Sequence, residues 1–211
     1  MFADRKDAGI RLAKALEKYK GTGALVLAIP RGGVEVAYEV AKHLNAELSI
    51  LVARKLPYPH NPEAGFGAIA EDGSSFIFDH AYRWLSKEDI KRIIDEQKQE
   101  IKRRIAVLRG GAPLPTIKDR TVILVDDGIA MGSTMRAGIM LCKNKGARHI
   151  IVAAPVAGPE VAGEMEELVD ELIVLERPAF FQAVAQVYEH WYDVPDSEVI
   201  EIMKQYKRSW A

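Results

Sequence analysis

Five short runs of apolar residues recur along the chain, and most of them are followed by an amphipathic stretch of helical length. The runs are ALVLAI (24–29), ELSILVA (47–53), TVILV (121–125), RHIIVAA (148–154) and DELIVL (170–175). Their apolar character is continuous rather than alternating, which is typical of strands that are covered on both faces, as in a parallel sheet. Repeated strand–helix–strand units predict an open, doubly wound α/β fold, with a mostly parallel sheet and helices on both faces.

The middle of the chain departs from this rhythm and predicts an insertion over residues 76–111, made of a hairpin strand and a long helix. Residues 67–78 predict a β-hairpin that turns at Asp72-Gly73. Residues 86–111 predict one helix that begins after the N-cap Ser86 and ends at Gly110 or Gly111. Its apolar residues form a narrow stripe among many charges, so the helix is expected to lie against the edge of a core or on another subunit. The stripe comprises Ile90, Ile93, Ile94, Ile101, Ile105 and Leu108.

The tail, residues 176–211, is rich in aromatic residues. We expect it to form a hood that covers a site, or else to close the core, and to end in a short helix capped by Asp196. A chain of 211 residues can bury one sizeable core. Residues 1–211 are therefore expected to form a single domain with these appendages.

Charge and cysteine content argue against several classes of protein. With 29 basic and 30 acidic residues the net charge is −1, so nothing global attracts nucleic acid or an anionic membrane. The lone Cys142 cannot form an internal disulfide, which is typical of the reducing cytoplasm. Residues 1–20 lack the apolar segment of a signal peptide, and no apolar run approaches the ~18 residues of a membrane span. We expect a cytoplasmic protein without a membrane or nucleic-acid partner. The sequence is compatible with a homo-oligomer as well as with a monomer.

The segment VILVDDGIAMGST, residues 122–134, carries the strongest functional signal. Asp126 and Asp127 follow a predicted buried strand, at the end where ligands bind in open α/β sheets. The small residues 132–134 begin the next helix, where free backbone N–H groups and the helix dipole favour a phosphate. A strand end followed by a helix cap would explain the small residues but not two adjacent charges. Because like charges cost stability, the pair indicates a ligand with hydroxyls or a Mg²⁺ shell, and its removal is expected to leave the fold as stable or more stable.

Other motif families fit less well. Residues 128–134 lack the lysine of a P-loop, and GFGAIA (65–70) neither follows a strand nor opens a helix, as a dinucleotide site requires. Receiver domains carry an aspartate pair after their first strand, whereas this pair lies mid-chain. The five histidines show no zinc-ligand spacing, and there is no G-x-S-x-G elbow of a hydrolase.

The segment resembles the phosphoribosyl pyrophosphate (PRPP) signature of type I phosphoribosyltransferases. The chain is most similar to the branch that carries PRGG after the first strand, RKL after the second and VDDG at the signature. Here these motifs are LAIPRGGVEVA (27–37), VARKLPYPHNPEAGFGAIAEDG (52–73) and LVDDGIAMGST (124–134), in the same order along most of the chain. The signature is specific, and the other two motifs support it through their order.

This resemblance implies roles residue by residue. Asp126 and Asp127 would bind the ribose hydroxyls, with Mg²⁺ bridging those hydroxyls and the pyrophosphate, and residues 130–134 would wrap the 5′-phosphate. The loop at 31–33 would match the pyrophosphate loop, and the turn-rich residues 57–67 suit a mobile lid that closes over the pyrophosphate. The implied substrate-binding residues are Arg31, Gly32, Gly33, Arg54, Lys55, Asp126, Asp127, Ala130, Met131, Gly132, Ser133 and Thr134.

The implied reaction is a Mg²⁺-dependent transfer of the phosphoribosyl group of PRPP to a nitrogenous acceptor such as a nucleobase, with release of pyrophosphate. Asp126, Asp127 and Lys55 would be its catalytic residues, and Asp127 is the preferred member of the pair for proton transfer. The acceptor would lie under the hood. Four aromatic residues of the tail either stack on the base there or pack in the core: Phe180, Phe181, Trp191 and Tyr192.

One departure from the family pattern keeps alternatives open. Met131 stands where the family commonly has Thr, and Ser133 where it has Gly or Ala. Met131 removes a hydroxyl donor, which Ser133 can replace from another direction. A second hypothesis is therefore a non-catalytic regulatory protein that binds PRPP or a nucleotide on the same fold. A structural oligomer with a vestigial site is a third, which the retained acidic pair and Thr134 disfavour.

Overall fold

The computed structural model describes residues 1–210, and the side chain of Trp210 is not described. In chain order its elements are α1 (Arg5–Ala15), β1 (Leu25–Ala28), α2 (Gly33–Leu44), β2 (Glu47–Ile50), β3 (Ala53–Tyr58), β4 (Asn61–Ala70), β5 (Ser75–Ile77), α3 (Ala81–Trp84), α4 (Lys87–Arg109), β6 (Thr121–Val125), α5 (Ser133–Asn144), β7 (His149–Val156), α6 (Pro159–Glu166), β8 (Glu171–Glu176) and α7 (Asp196–Trp210). Short 3-10 helices lie at Glu17–Tyr19 and Val184–Val187.

The main sheet has five parallel strands in the order β2-β1-β6-β7-β8, which confirms the predicted fold class. Alternate residues of β1 enter different cores: Val26 packs with the α1 and α2 side, and Leu27 with the α5 and α6 side. All four residues of β1 are buried. Burial on both faces explains why the strands are continuously apolar in the sequence.

A second sheet of three antiparallel strands, β3-β4-β5, follows β2. The predicted hairpin at Asp72-Gly73 is present, with Ala70 N donating to Ser74 O at 2.8 Å. The prediction of a long loop over residues 57–67 was wrong, because most of that segment belongs to the hairpin of β3 and β4. The register shifts around Pro57, which pairs with Gly65, so a β-bulge accommodates residues that a regular strand excludes.

The long helix α4 has the predicted boundaries. Ser86 caps it by accepting from Asp89 N at 3.0 Å, and Gly110 ends it at φ +63°. Its apolar stripe packs on the edge of the core, against β3, β4 and α7. At its last turn Arg109 forms a buried, bidentate ion pair with Glu71, with both N–O distances at 2.8 Å. This pair joins α4 to the end of β4.

The tail does two things in the structure. Its last helix α7 is longer than predicted, and Val199 and Met203 are buried in the core that includes α2 and α4. Before α7, the chain passes the N-terminus, where Phe2 N donates to Val187 O at 2.7 Å. The tail helix therefore closes the core, whereas the preceding residues lie beside the strand ends. Across residues 1–210, no helix combines the length and apolar character that a membrane span requires.

Candidate functional site

The acidic pair and the Arg31–Gly33 loop lie next to each other because their strands are neighbours. Ala28 at the end of β1 pairs with Val125 at the end of β6, and Ile29 N donates to Val125 O at 2.9 Å. In a parallel sheet both carboxyl ends lie on the same edge. The two motifs, about 95 residues apart in sequence, therefore meet at one point, where ligands bind in this fold class.

A cavity of about 480 Å³ opens at this edge, within the size range of small-molecule sites. Of the predicted residues, the structure brings Lys55, Asp126 and the loop 130–134 together in its wall. Residues 63–65 of β4, which belong to the predicted lid segment, also line the cavity, whereas the sequence did not single out the residues that flank the loop. The lining residues are Lys55, Glu63, Ala64, Gly65, Asp126, Gly128, Ile129, Ala130, Met131, Gly132, Ser133, Thr134 and Met135.

The loop before α5 has the features of an anion site. Gly132 adopts φ +78°, a conformation that favours glycine, and a Cβ there would also require the flexible end of Met165 to move, because Cε lies 2.5 Å away. No side chain caps the N-terminus of α5, which leaves the first-turn N–H groups available to a ligand. Met131 lines the cavity with 61% of its surface exposed, so it is not a core residue.

The two aspartates are not equivalent, contrary to the sequence-based picture of two free charges. Asp126 Oδ1 accepts from Asp127 N at 2.8 Å, and burial together with the Asp127 charge raises the pKa of Asp126. Asp127 instead accepts from Arg5 Nε at 2.8 Å through Oδ2. The pair therefore consists of one carboxyl group whose ionisation is disfavoured and one carboxylate with a buried cation beside it.

Sequence reasoning missed Arg5, which is only 3% exposed. Its NH1 donates to Tyr192 O at 2.9 Å, and its guanidinium lies 4.0 Å from the centre of the Trp191 ring. A weak signal was present, because an arginine in the first turn of a helix opposes the helix dipole. Its partner, however, lies 122 residues away in the sequence.

Gly32 and Gly33 are glycines because of space rather than conformation. Gly32 has an ordinary helical φ of −58°, but a Cβ there would lie 1.9 Å from Asp127 Oδ2 and 2.8 Å from Arg5 Nε. A Cβ at Gly33 would lie 3.0 Å from Asp126 Oδ1. The glycines let the loop pack directly on the acidic pair, which a simple tight turn would not require.

Five predicted residues do not line the cavity: Gly32, Gly33 and Asp127, which pack together beside Asp126, and the two arginines Arg31 and Arg54. Arg54 and Lys55 occupy opposite faces of β3: Lys55 lines the cavity, whereas Arg54 Nε donates to Gln97 Oε1 of α4 at 3.2 Å. Burial, and next the positive charge of Arg104, lowers the pKa of Arg54. Arg31 NH1 lies 3.7 Å from Asp196 Oδ1 at the start of α7.

The aromatic residues of the tail are divided between two places. Trp191 and Tyr192 contact Arg5, and Tyr188, which the sequence did not indicate, donates its hydroxyl to Asp127 O at 2.6 Å. Phe181 lines a second cavity of about 520 Å³, which shares Ala130 and Met131 with the first. Phe180 is 89% exposed. The tail therefore contacts Arg5 and the backbone of Asp127, and borders the loop at residues 130–134.

Comparison with known proteins agrees with this geometry. Residues 4–190 match the family model described as the phosphoribosyl transferase domain. The crystal structure of TT1426 from Thermus thermophilus aligns with a TM-score of 0.82 at 36% identity, covering 97% of this chain and 98% of that one. A purine phosphoribosyltransferase from Pyrococcus horikoshii aligns over 89% of this chain and 88% of its own, at a TM-score of 0.50 and 17% identity, and so shows the fold alone.

The Mycobacterium tuberculosis protein Rv0571c, named as a phosphoribosyl transferase, is 38% identical over the whole chain. The alignment covers 48% of that protein, so the chain spans about half the length of this relative. The family match covers most of the chain, including both motifs that meet at the ends of β1 and β6. The chain belongs to the phosphoribosyl transferase domain family.

Proposed function

We propose that the protein is a phosphoribosyltransferase that transfers the phosphoribosyl group of PRPP to a nitrogenous acceptor of the nucleobase type, releasing pyrophosphate. The observation that carries the proposal is the close packing of the Gly32 loop on Asp127, beside the uncapped N-terminus of α5. The N-termini of α2 and α5, neither of which has a side-chain cap and either of which can bind an anion, thus flank one pair of carboxyl groups. PRPP has that layout, with a phosphate at one end of the ribose and a pyrophosphate at the other.

In this proposal the 5′-phosphate binds the N–H groups of residues 130–134, and the ribose hydroxyls bind Asp126 and Asp127. The pyrophosphate lies against the amides of Gly32 and Gly33, which follow β1 next to the end of β6, and Lys55 lines the adjoining cavity. Arg31 and Arg54 lie outside the cavity wall in this structure, so their predicted roles in substrate binding require a rearrangement on binding.

The donor set fits a Mg²⁺ ion that arrives with its substrate. Among residues 1–210 no cluster of three or more His, Cys, Asp or Glu side chains is placed to hold a metal. Mg²⁺ commonly needs only one or two carboxylates, completed by substrate phosphates and water. The carboxyl groups of Asp126 and Asp127 would serve. When bound, the ion would help to neutralise the negative charge that develops on the pyrophosphate.

The protein's own contribution to the reaction is positioning and electrostatic stabilisation. The nitrogen nucleophile forms a bond to the anomeric carbon as the bond to the pyrophosphate oxygen breaks, through a transition state with oxocarbenium character. Lys55 Nζ, which donates to Glu63 O at 2.6 Å, stands in the cavity wall as the cation for the leaving group. Exclusion of water from the cavity when PRPP and the acceptor fill it would limit hydrolysis of PRPP.

The proposed function is tested by screening purine, pyrimidine and nicotinate-type bases for pyrophosphate release from PRPP with Mg²⁺. We expect one class of base to support turnover. Tight PRPP binding without turnover on any base would instead support the regulatory protein, for which the departure at Met131 is the motivating feature. Absence of PRPP binding would reject both.

We predict that Lys55→Ala slows pyrophosphate release by roughly ten-fold or more while PRPP affinity changes less. The lysine charge is needed most as the leaving group departs. Its loss should therefore raise the free energy of the transition state more than that of the bound ground state. Single-turnover rates and calorimetric PRPP affinities are the measurements. Lys91→Ala is the matched control, because Lys91 is exposed on α4 and paired with Asp95. Equal losses of rate and affinity would make Lys55 a uniform binding residue.

We also predict that Met131→Thr tightens the binding of PRPP and ribose 5-phosphate by about ten-fold. The new hydroxyl can donate to a phosphate oxygen, and a hydrogen bond to a charged group contributes roughly 1.5–3 kcal/mol. Because Met131 is exposed, the change should cost little stability. Ser133→Gly is the control for compensation: it should weaken binding if Ser133 already supplies the missing hydroxyl. Unchanged affinity in Met131→Thr with a stable fold would place the phosphate elsewhere.

A further inference from the structure

Arg5 lies next to Asp127 of the acidic pair, and its guanidinium is held by a carboxylate, a backbone carbonyl and an aromatic ring. Its Nε donates to Asp127 Oδ2 at 2.8 Å, its NH1 donates to Tyr192 O at 2.9 Å, and the Trp191 ring covers it at 4.0 Å. A second carboxylate, Glu35 Oε1, lies 3.8 Å from NH1. A guanidinium held this firmly allows Asp127 little freedom, because the ion pair fixes one of the two carboxylate oxygens.

Arg5 is unfavourable for the helix that carries it but makes favourable contacts at the site. It stands in the first turn of α1, where the helix dipole disfavours a cation, and its side chain is 4% exposed, where an unpaired charge is costly. The Oδ2 atom of Asp127 that accepts from Arg5 also packs against Gly32, where a Cβ would lie only 1.9 Å from it. Arg5, Asp127 and the glycine loop therefore form one packed unit.

We propose that Arg5 is a positioning residue for PRPP binding. It fixes Asp127 through Oδ2 and offsets that charge, so that Oδ1 can accept a ribose hydroxyl while a polyanionic substrate lies nearby. Without Arg5, the Asp127 carboxylate would rotate and would repel the phosphates of the substrate. This inference rests on the proposed function, since it concerns how the same site binds PRPP.

The experiment measures Mg²⁺-dependent PRPP affinity by calorimetry in Arg5→Met, Asp127→Asn and the double variant. Arg5→Met is expected to weaken binding by roughly ten- to one-hundred-fold, the effect of one charge-assisted hydrogen bond. If Arg5 acts through Asp127, the two changes are not additive, and the double variant binds no more weakly than Asp127→Asn alone. A merely structural role would give additive losses.

Arg11→Met is the matched control, because it removes an exposed charge from the same helix, where Arg11 pairs with Asp7. It should bind PRPP as the wild type does. Should Arg5→Met fail to fold, Arg5→Lys replaces it, because lysine keeps the charge but lacks the planar guanidinium. Arg5→Lys is expected to bind PRPP more weakly than the wild type, and it is combined with Asp127→Asn in the same double-mutant cycle. Wild-type affinity in the folded Arg5 variant, or additive losses, would overturn the inference. Failure of the wild type itself to bind PRPP would instead reject the proposed function, and this inference with it.

Discussion

Replacing Asp126 and Asp127 together by asparagine is expected to abolish detectable Mg²⁺-dependent binding of PRPP. Each aspartate is proposed to accept a hydrogen bond from the ribose, and Asp127, which has Arg5 beside it, accepts as a charged group, a bond that contributes roughly 1.5–3 kcal/mol. Its loss alone weakens binding by about ten- to one-hundred-fold, and the loss at Asp126 adds to it. Calorimetric titration with PRPP and Mg²⁺ is the measurement. PRPP binding that survives the double change would show that the acidic pair is structural.

The two single variants are expected to differ in thermal stability. The sequence alone does not predict this difference. Asp127→Asn leaves the buried Arg5 without its closest anionic partner, and breaking a buried pair costs about 3 kcal/mol or more. Asp126→Asn removes a carboxyl group whose ionised form is disfavoured by burial and by Asp127, and Asn Oδ1 can still accept from residue 127. We therefore expect the melting temperature to fall in the first variant and to rise in the second.

The pH dependence of the Asp126→Asn effect follows from the raised pKa of Asp126. A carboxyl group with a raised pKa binds its proton more tightly in the folded state, so ionisation costs stability as the pH rises through the folded pKa. The gain from asparagine should be present at neutral pH. It should disappear below about pH 4, where aspartate is protonated in both states. Melting curves between these limits provide the measurement, and a gain that grows toward low pH would contradict this account.

Gly32→Ala is expected to weaken PRPP binding by about one-hundred-fold or more. The added methyl would lie 1.9 Å from Asp127 Oδ2 and 2.8 Å from Arg5 Nε, so the loop or the ion pair must move. A displacement of about 1 Å at a site residue can cost one-hundred-fold, and overpacking costs about 1–3 kcal/mol of stability. PRPP affinity and thermal unfolding, measured on the same preparation, test both effects.

Gly163→Ala is the control for this substitution. Gly163 lies within α6, and a Cβ there would meet nothing within 4 Å. Alanine is a better helix former than glycine by roughly 1 kcal/mol, so this variant should be slightly more stable and bind PRPP normally. If Gly32→Ala behaved in the same way, the loop would not be packed on the acidic pair as described.

The sequence by itself determined the features that depend on local pattern. Continuous apolar runs specify strands covered on both faces, and β1 divides its residues between the two cores as that pattern requires. The boundaries of α4 followed from Ser86 and Gly110, because capping depends on residues within one turn. The position of Asp126 at a strand end followed in the same way. These predictions succeeded because the interactions that decide them span only a few residues.

Only the tertiary structure decided how the parts of the candidate site meet. Local propensity marked residues 57–67 as a loop, but pairing of β3 with β4 and a bulge at Pro57 overrode it. The side chains of Arg54 and Lys55 separate because a strand alternates its faces. The reason for Gly32, the inequality of the two aspartates and the presence of Arg5 all depend on contacts between residues about 95 or more apart in the chain. No periodicity encodes such contacts, because they arise only when the sheet places the ends of β1 and β6 side by side and α1 packs behind them.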